Sequence, residues 1–155
     1  MGDRTYVTLT VRRVDKERTL QICKEANYEP NELNQLPGSS PLQNMGFEEV
    51  NYGELPFLRD LVKAGIPFDS SWASGDEYGE GCEYSRYDDF GNHNNKKIFE
   101  SDEAIQVHLL EAHLQDYNAL ADLIKEKVKA LYVLPWDNQE HNAKLFLTKQ
   151  LINPE

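Results

Sequence analysis

The stretch Phe68-Asp-Ser-Ser-Trp-Ala-Ser-Gly-Asp-Glu-Tyr-Gly-Glu-Gly-Cys-Glu-Tyr-Ser-Arg-Tyr87 decides how the rest of the chain is read. Ile66, Phe68, Ser70 and Trp72 alternate as one strand, and Cys82 to Tyr87 returns as a second. Ala73 to Gly81, with three glycines, is the tip between them. A hairpin at the centre of the chain implies antiparallel pairing, and the flanking segments extend it. Tyr6 to Arg12 alternates cleanly, with Val7, Leu9 and Val11 on one side and Tyr6, Thr8, Thr10 and Arg12 on the other. Its β-branched content makes it a half-buried strand. Phe47 to Tyr52 reads as a further strand and Lys96 to Phe99 as a short fifth.

Helices fill the intervals. Asp15 suits the start of a helix running to about Ala26, with Leu20 and Cys23 on one face. Pro56 fits the first turn of a second helix carrying Leu55, Leu58, Leu61 and Val62, which Gly65 ends. Ser101, followed by Asp102 and Glu103, predicts another helix start. Residues 104–110 fit either helix or strand, because Ile105, Val107 and Leu109 also alternate. Tyr117, Leu120, Ala121, Ile124, Val128 and Leu131 share one face of the strongest helix. After the break at Pro135-Trp136-Asp137, a short helix is expected from Asn142 to Leu151. Asn27 to Met45, punctuated by Pro30, Pro37, Gly38 and Pro41, predicts a long loop. The expectation is a single α+β domain over residues 1–155, with a mostly antiparallel sheet of four to five strands. Its core is expected to be ferredoxin-like or split βαβ, with helices on one face and a helical C-terminal third.

Composition narrows the function classes. The 155 residues include 28% charged and 39% hydrophobic side chains, which is ordinary for a globular chain. No run approaches the roughly 18 apolar residues of a membrane helix. The N-terminus leads directly into strand, so no signal peptide is expected, and Tyr6 stands where myristoylation needs Ser or Thr. Cys23 and Cys82 form no paired motif, which with the absent leader favours a reducing cytoplasm. The formal charge is -11, and residues 29–91 carry most of it, with 13 acidic side chains against 3 basic. Such a field repels nucleic-acid phosphates and anionic lipid and attracts basic surfaces. Direct nucleic-acid binding and membrane binding are therefore not expected.

No reaction is legible. Gly75, Gly79 and Gly81 lack the Lys of a phosphate loop, are followed by strand, and sit among acids. The acids lack the spacing of a calcium loop. His108 and His113 are five residues apart, about 140° around a helix, too far for one metal. Ser70, Ser71, Ser85 and Cys82 occupy no nucleophile elbow. No catalytic residue, metal or cofactor is assigned.

Binding is the remaining chemistry. Around the central hairpin, Asp69, Trp72, Asp76, Glu77, Tyr78, Glu80, Glu83 and Tyr84 combine rigid amphipathic rings with carboxylates. That pairing suits Arg and Lys from a partner through charge-assisted hydrogen bonds and cation–π contacts. The expectation is a non-enzymatic protein that inhibits or shields a basic, nucleic-acid-handling partner. In composition and size the chain is similar to small acidic inhibitors of restriction or CRISPR machinery and to immunity proteins against nuclease toxins. The likeness is one of composition alone. The alternative is a small enzyme or ligand-binding domain with its pocket between the sheet and the 27–45 loop.

Overall fold

The computed structural model describes residues 3–34 and 36–152. Six strands form one antiparallel sheet: β1 (Arg4–Arg12), β2 (Glu32–Asn34), β3 (Leu42–Asn51), β4 (Phe68–Trp72), β5 (Gly81–Tyr87) and β6 (His93–Phe99). Their spatial order is β2-β3-β1-β4-β5-β6. Helix α1 (Lys16–Glu25) connects β1 to β2, and α2 (Leu58–Lys63) connects β3 to β4. Four strands in the order β2-β3-β1-β4, with a helix after the first and third, make the expected split βαβ arrangement. The β4–β5 hairpin and β6 extend it on one side. There are thus six strands rather than four to five.

Alternation in β1 sorts the sheet into two faces. Val7, Leu9 and Val11 are fully buried and pair across to Phe47, Met45, Phe68 and Trp72. On that face lie α1 and α2, with Cys23, Phe57, Leu61 and Ile66 completing the core. The opposite face carries Thr8, Thr10, Ser71, Asp69, Cys82 and Tyr84, as the pairing of β1, β4 and β5 requires.

Three expectations are corrected. Residues 27–45 are not one loop, because β2 and the start of β3 lie within them. Asn31 explains part of this: its backbone N–H donates to Gly46 O, and its side-chain carbonyl accepts from Glu48 N–H, so local polar residues build an edge. Ser101 lies in a 3-10 turn (Glu100–Glu103), held by Asp102 accepting from Phe99 N–H, and regular helix starts only at α3 (Val107–His113). Residues 104–106 are extended or irregular and 107–110 are helical. In α4 (Tyr117–Leu131), capped by Asp116, the expected apolar face is split: Leu120, Ala121 and Leu131 are half-buried, while Tyr117, Ile124 and Val128 are exposed.

The end of α4 and Trp136 are fastened to the second face of the sheet, while α5 (Gln139–Ile152) packs at the end of β5 against Tyr87. Arg86 is 3% exposed. Its Nη1 donates to the carbonyls of Phe68 (2.8 Å) and Ser85 (3.0 Å). Nη2 makes an ion pair at 2.6 Å with Asp69, and the guanidinium lies 3.7 Å from the Trp136 ring centroid. Beside it, Lys96 Nζ donates to the carbonyls of Ala130 and Tyr132, closing the end of α4. Helix α5 seals the end of β5: Gln139 exchanges hydrogen bonds with the backbone of Tyr87, and Phe146 stacks on the Tyr87 ring. Burial pushes the Asp69 carboxyl up against the pull of Arg86, and burial lowers Arg86 against the pull of Asp69.

Removing one member of such a pair strands the other without water. Asp69→Asn is expected to cost about 3 kcal/mol of stability, and the double variant Asp69→Leu/Arg86→Met distinctly less. Urea midpoints check this. A double variant that loses as much as Asp69→Asn or more would show that the pair is not held by mutual compensation.

Candidate functional site

The end of the sheet where β4, β5 and β6 meet their loops holds two concavities, one on each face, with Trp72 in the wall of both. Trp72 can take this position because its neighbours have no side chains. It pairs with Gly81, where a Cβ would stand 2.6 Å from the indole, and Gly53 (φ 69°) approaches from the β3 side. Its Nε1–H donates to Gly79 O at 3.0 Å, and Phe99 meets the ring edge-on at 5.8 Å. The indole is therefore fixed before anything binds.

The cavity on the second face measures about 420 Å³. Its floor is the row Thr8, Ser71, Cys82 and Ile98, which the sheet register places side by side. Tyr6, Trp72 and Tyr84 wall it, and Glu80, Glu100 and Glu103 stand on the rim. The 3-10 turn holds that rim, with Glu100 N–H donating to Glu80 O at 3.0 Å. Among the described residues no Lys, Arg or His lines it. The site therefore offers π faces and negative charge together, which is the environment an organic cation requires. Burial, with the Cys82 side chain and the Asp69 and Glu103 carboxylates, pushes the Tyr84 hydroxyl up to about 12. Burial, then the Asp69 carboxylate, pushes the Cys82 thiol to about 12. Both groups stay protonated at neutral pH, and Cys82 is no nucleophile there.

The cleft on the helix-bearing face measures about 750 Å³. Tyr52, Trp72, Tyr78 and Phe99 contribute rings, and Tyr52 lies 6.1 Å from Tyr78. Tyr52 is placed by unusual backbone. A bulge in β3 shifts its register against β1 between Thr5 and Val7, with Glu49 at φ 55°, and Tyr52 itself sits at φ 51°. Left-handed non-glycine residues cost about 1 kcal/mol or more each, so the surrounding contacts must hold them. Asp3 contributes, its carbonyl accepting from Tyr52 N–H and its carboxylate from Glu77 N–H.

The eight residues selected from sequence do not form one surface. Trp72, Glu80 and Tyr84 line the smaller cavity, and Trp72, Tyr78 and Glu83 line the larger cleft. Asp69 is held by Arg86, while Asp76 and Glu77 are exposed on the tip and line neither. Glu83 and Tyr84 are adjacent in β5, so the pleat sends them to opposite faces. Sequence reasoning missed Tyr6 and Thr8, which the alternation in β1 had marked as its polar face, and missed Glu100 and Glu103, which only the 3-10 turn brings to the rim. Among the described residues neither cavity takes a lining residue from 27–45.

Two further groups bear on chemistry. Ser85 Oγ lies 2.9 Å from His93 Nε2. Ser85 is fully buried, and among the described residues nothing hydrogen-bonds the other ring nitrogen of His93. Among the described residues no group of three or more His, Cys, Asp or Glu is placed to hold a metal ion. None of their helices is long and apolar enough to cross a membrane. Comparison with known proteins finds no matching family, no similar curated protein and no similar solved structure.

Burial lowers His93 below its usual 6.5, with Glu83 opposing. The folded state therefore binds this proton more weakly than the unfolded chain. Stability from His93 is present above 6.5 and is lost as pH falls from 6.5 through the lower folded value. His93→Gln is expected to flatten that limb of a urea-midpoint profile against pH; an unchanged slope would place the proton elsewhere.

Proposed function

We propose that this protein is a non-enzymatic binding protein whose acidic face engages a basic protein partner. The observation that carries the reading is the 420 Å³ cavity, where three carboxylates surround tyrosine and tryptophan rings and, among the described residues, no Lys, Arg or His lines the wall. A partner Arg or Lys entering it would gain cation–π contact and charge-assisted hydrogen bonds in one step. The exposed Asp76 and Glu77 extend the same sign of charge along the hairpin tip. A net charge of -11 would accelerate encounter with such a partner and repel phosphates. Proteins that handle nucleic acid carry basic grooves of the required sign, so inhibition or shielding of such a protein is the role this surface suits. Both cysteines are free thiols, which suits a reducing cytoplasm.

The expected behaviour is salt-sensitive capture. A basic protein retained from source-cell lysate at about 0.1 M salt should elute near 0.5 M, where screening shortens the reach of charge. The triple variant Glu80→Gln, Glu100→Gln, Glu103→Gln should fold with an unchanged urea midpoint and lose the partner. Retention of the partner by the folded triple variant would remove the cavity from the reading. Capture of nucleic acid rather than protein would overturn it altogether.

A further inference from the structure

The larger cleft carries chemistry that a basic partner does not explain. Its charges are of both signs and mostly matched. Lys97 Nζ lies 3.3 Å from Glu83 and 3.7 Å from Glu54. Asp60 is paired with Lys63 at 2.9 Å, and Arg59 adds a second cation to the wall. A cationic ligand would meet Lys97 and Arg59, and an anionic one would meet three carboxylates within a strongly negative protein. Electrostatics thus favours a neutral occupant. The lining nevertheless offers donors from Arg59 and Lys97, acceptors from Glu54, Asp60 and Glu83, and the rings Tyr52, Trp72, Tyr78 and Phe99. A neutral ligand that uses all of these has many hydroxyls around a flat, C–H-rich face.

We propose that this cleft is a binding site for a neutral saccharide. Its volume of about 750 Å³ lies in the range of ligand pockets, which runs roughly from 300 to 1,000 Å³. Trp72 supplies the stacking platform, its own N–H already bonded to Gly79 O so that the ring face alone is offered. Tyr52, 46% exposed and held at φ 51°, closes one side. The charged pairs give bidentate hydrogen bonds to sugar hydroxyls without requiring the ligand to carry charge. Glu54 and Glu83 both face Lys97, so they serve as its counter-charges and not as an acid–base pair for hydrolysis. The inference stands apart from the proposal for the acidic cavity, because the two sites share only the Trp72 ring.

The chain has two tryptophans, so the Trp72 indole N–H is readily assigned in an NMR spectrum. Cellotriose, maltotriose and chitotriose would each be titrated into the labelled protein. At least one should shift the Trp72 indole N–H and the Gly79 and Gly81 amides saturably, with a dissociation constant of about 1 mM or tighter. Tyr52→Ala should weaken that binding at least about fivefold through loss of one ring contact, and Glu54→Gln should also weaken it. Glu80→Gln, in the other cavity, should leave it unchanged. Because Tyr52 and Glu54 are exposed, their variants are expected to keep the native spectrum. Absence of any Trp72 shift with all three sugars would overturn the proposal. So would a shift that survives both variants, or binding at Trp72 by arginine amide where the sugars fail.

Discussion

Arg86 is the constraint on which the arrangement depends. A guanidinium 3% exposed needs partners in place of water, and here a carboxylate, two backbone carbonyls and an indole face meet it, although its Nε has no hydrogen-bond partner among the described residues. A buried arginine cannot shed its charge, so the groups around it are required rather than decorative. Trp136 belongs to the segment between α4 and α5, and its seat on Arg86 fixes where the C-terminal helices can lie. Trp136 and the end of α4 meet the sheet row of Asp69 and Lys96, and the next row, Thr8 to Ile98, floors the acidic cavity.

A second constraint acts at the other side of the same row. Trp72 is a large ring on a strand end, and it fits because Gly53 and Gly81 approach it without side chains. The ring thereby becomes a rigid wall shared by two concavities of opposite character. One has aromatic walls and uncompensated carboxylates, the other aromatic walls and paired charges of both signs. Rings ordered in the free protein lose little entropy on binding, which is what makes such a wall useful. The two sites differ in volume and in charge, and the two proposals rest on the difference in charge.

Much of the fold was legible because β1 and the run Ile66 to Trp72 follow a period of two, with a glycine-rich turn after the second. The split βαβ core and the pairing of β4 with β5 rest on those signals. What was illegible has particular causes. The edge strand β2 has three exposed residues and no alternation to read, since its pairing is completed by Asn31 at its start. Ser101 resembles a helix cap, but Asp102 takes the capping role for a 3-10 turn. The site was partly legible: Trp72, Glu80 and Tyr84 meet at one cavity. The alternation that revealed the strands also separates Glu83 from Tyr84, so no single face could hold all the carboxylates. Glu100 and Glu103 reach the rim through tertiary contact, which spacing along the chain does not encode.

The central claim is that the row Thr8 to Ile98 and its acidic rim are where a partner sits. Hydrogen–deuterium exchange of the protein, free and bound to the captured basic partner, addresses it directly. The account predicts slowed exchange in residues 6–8, 71–73, 80–84 and 98–103, with little change across 52–60 and α4. Protection concentrated in 52–60, or along the exposed Tyr117, Ile124 and Val128 stripe, would contradict it.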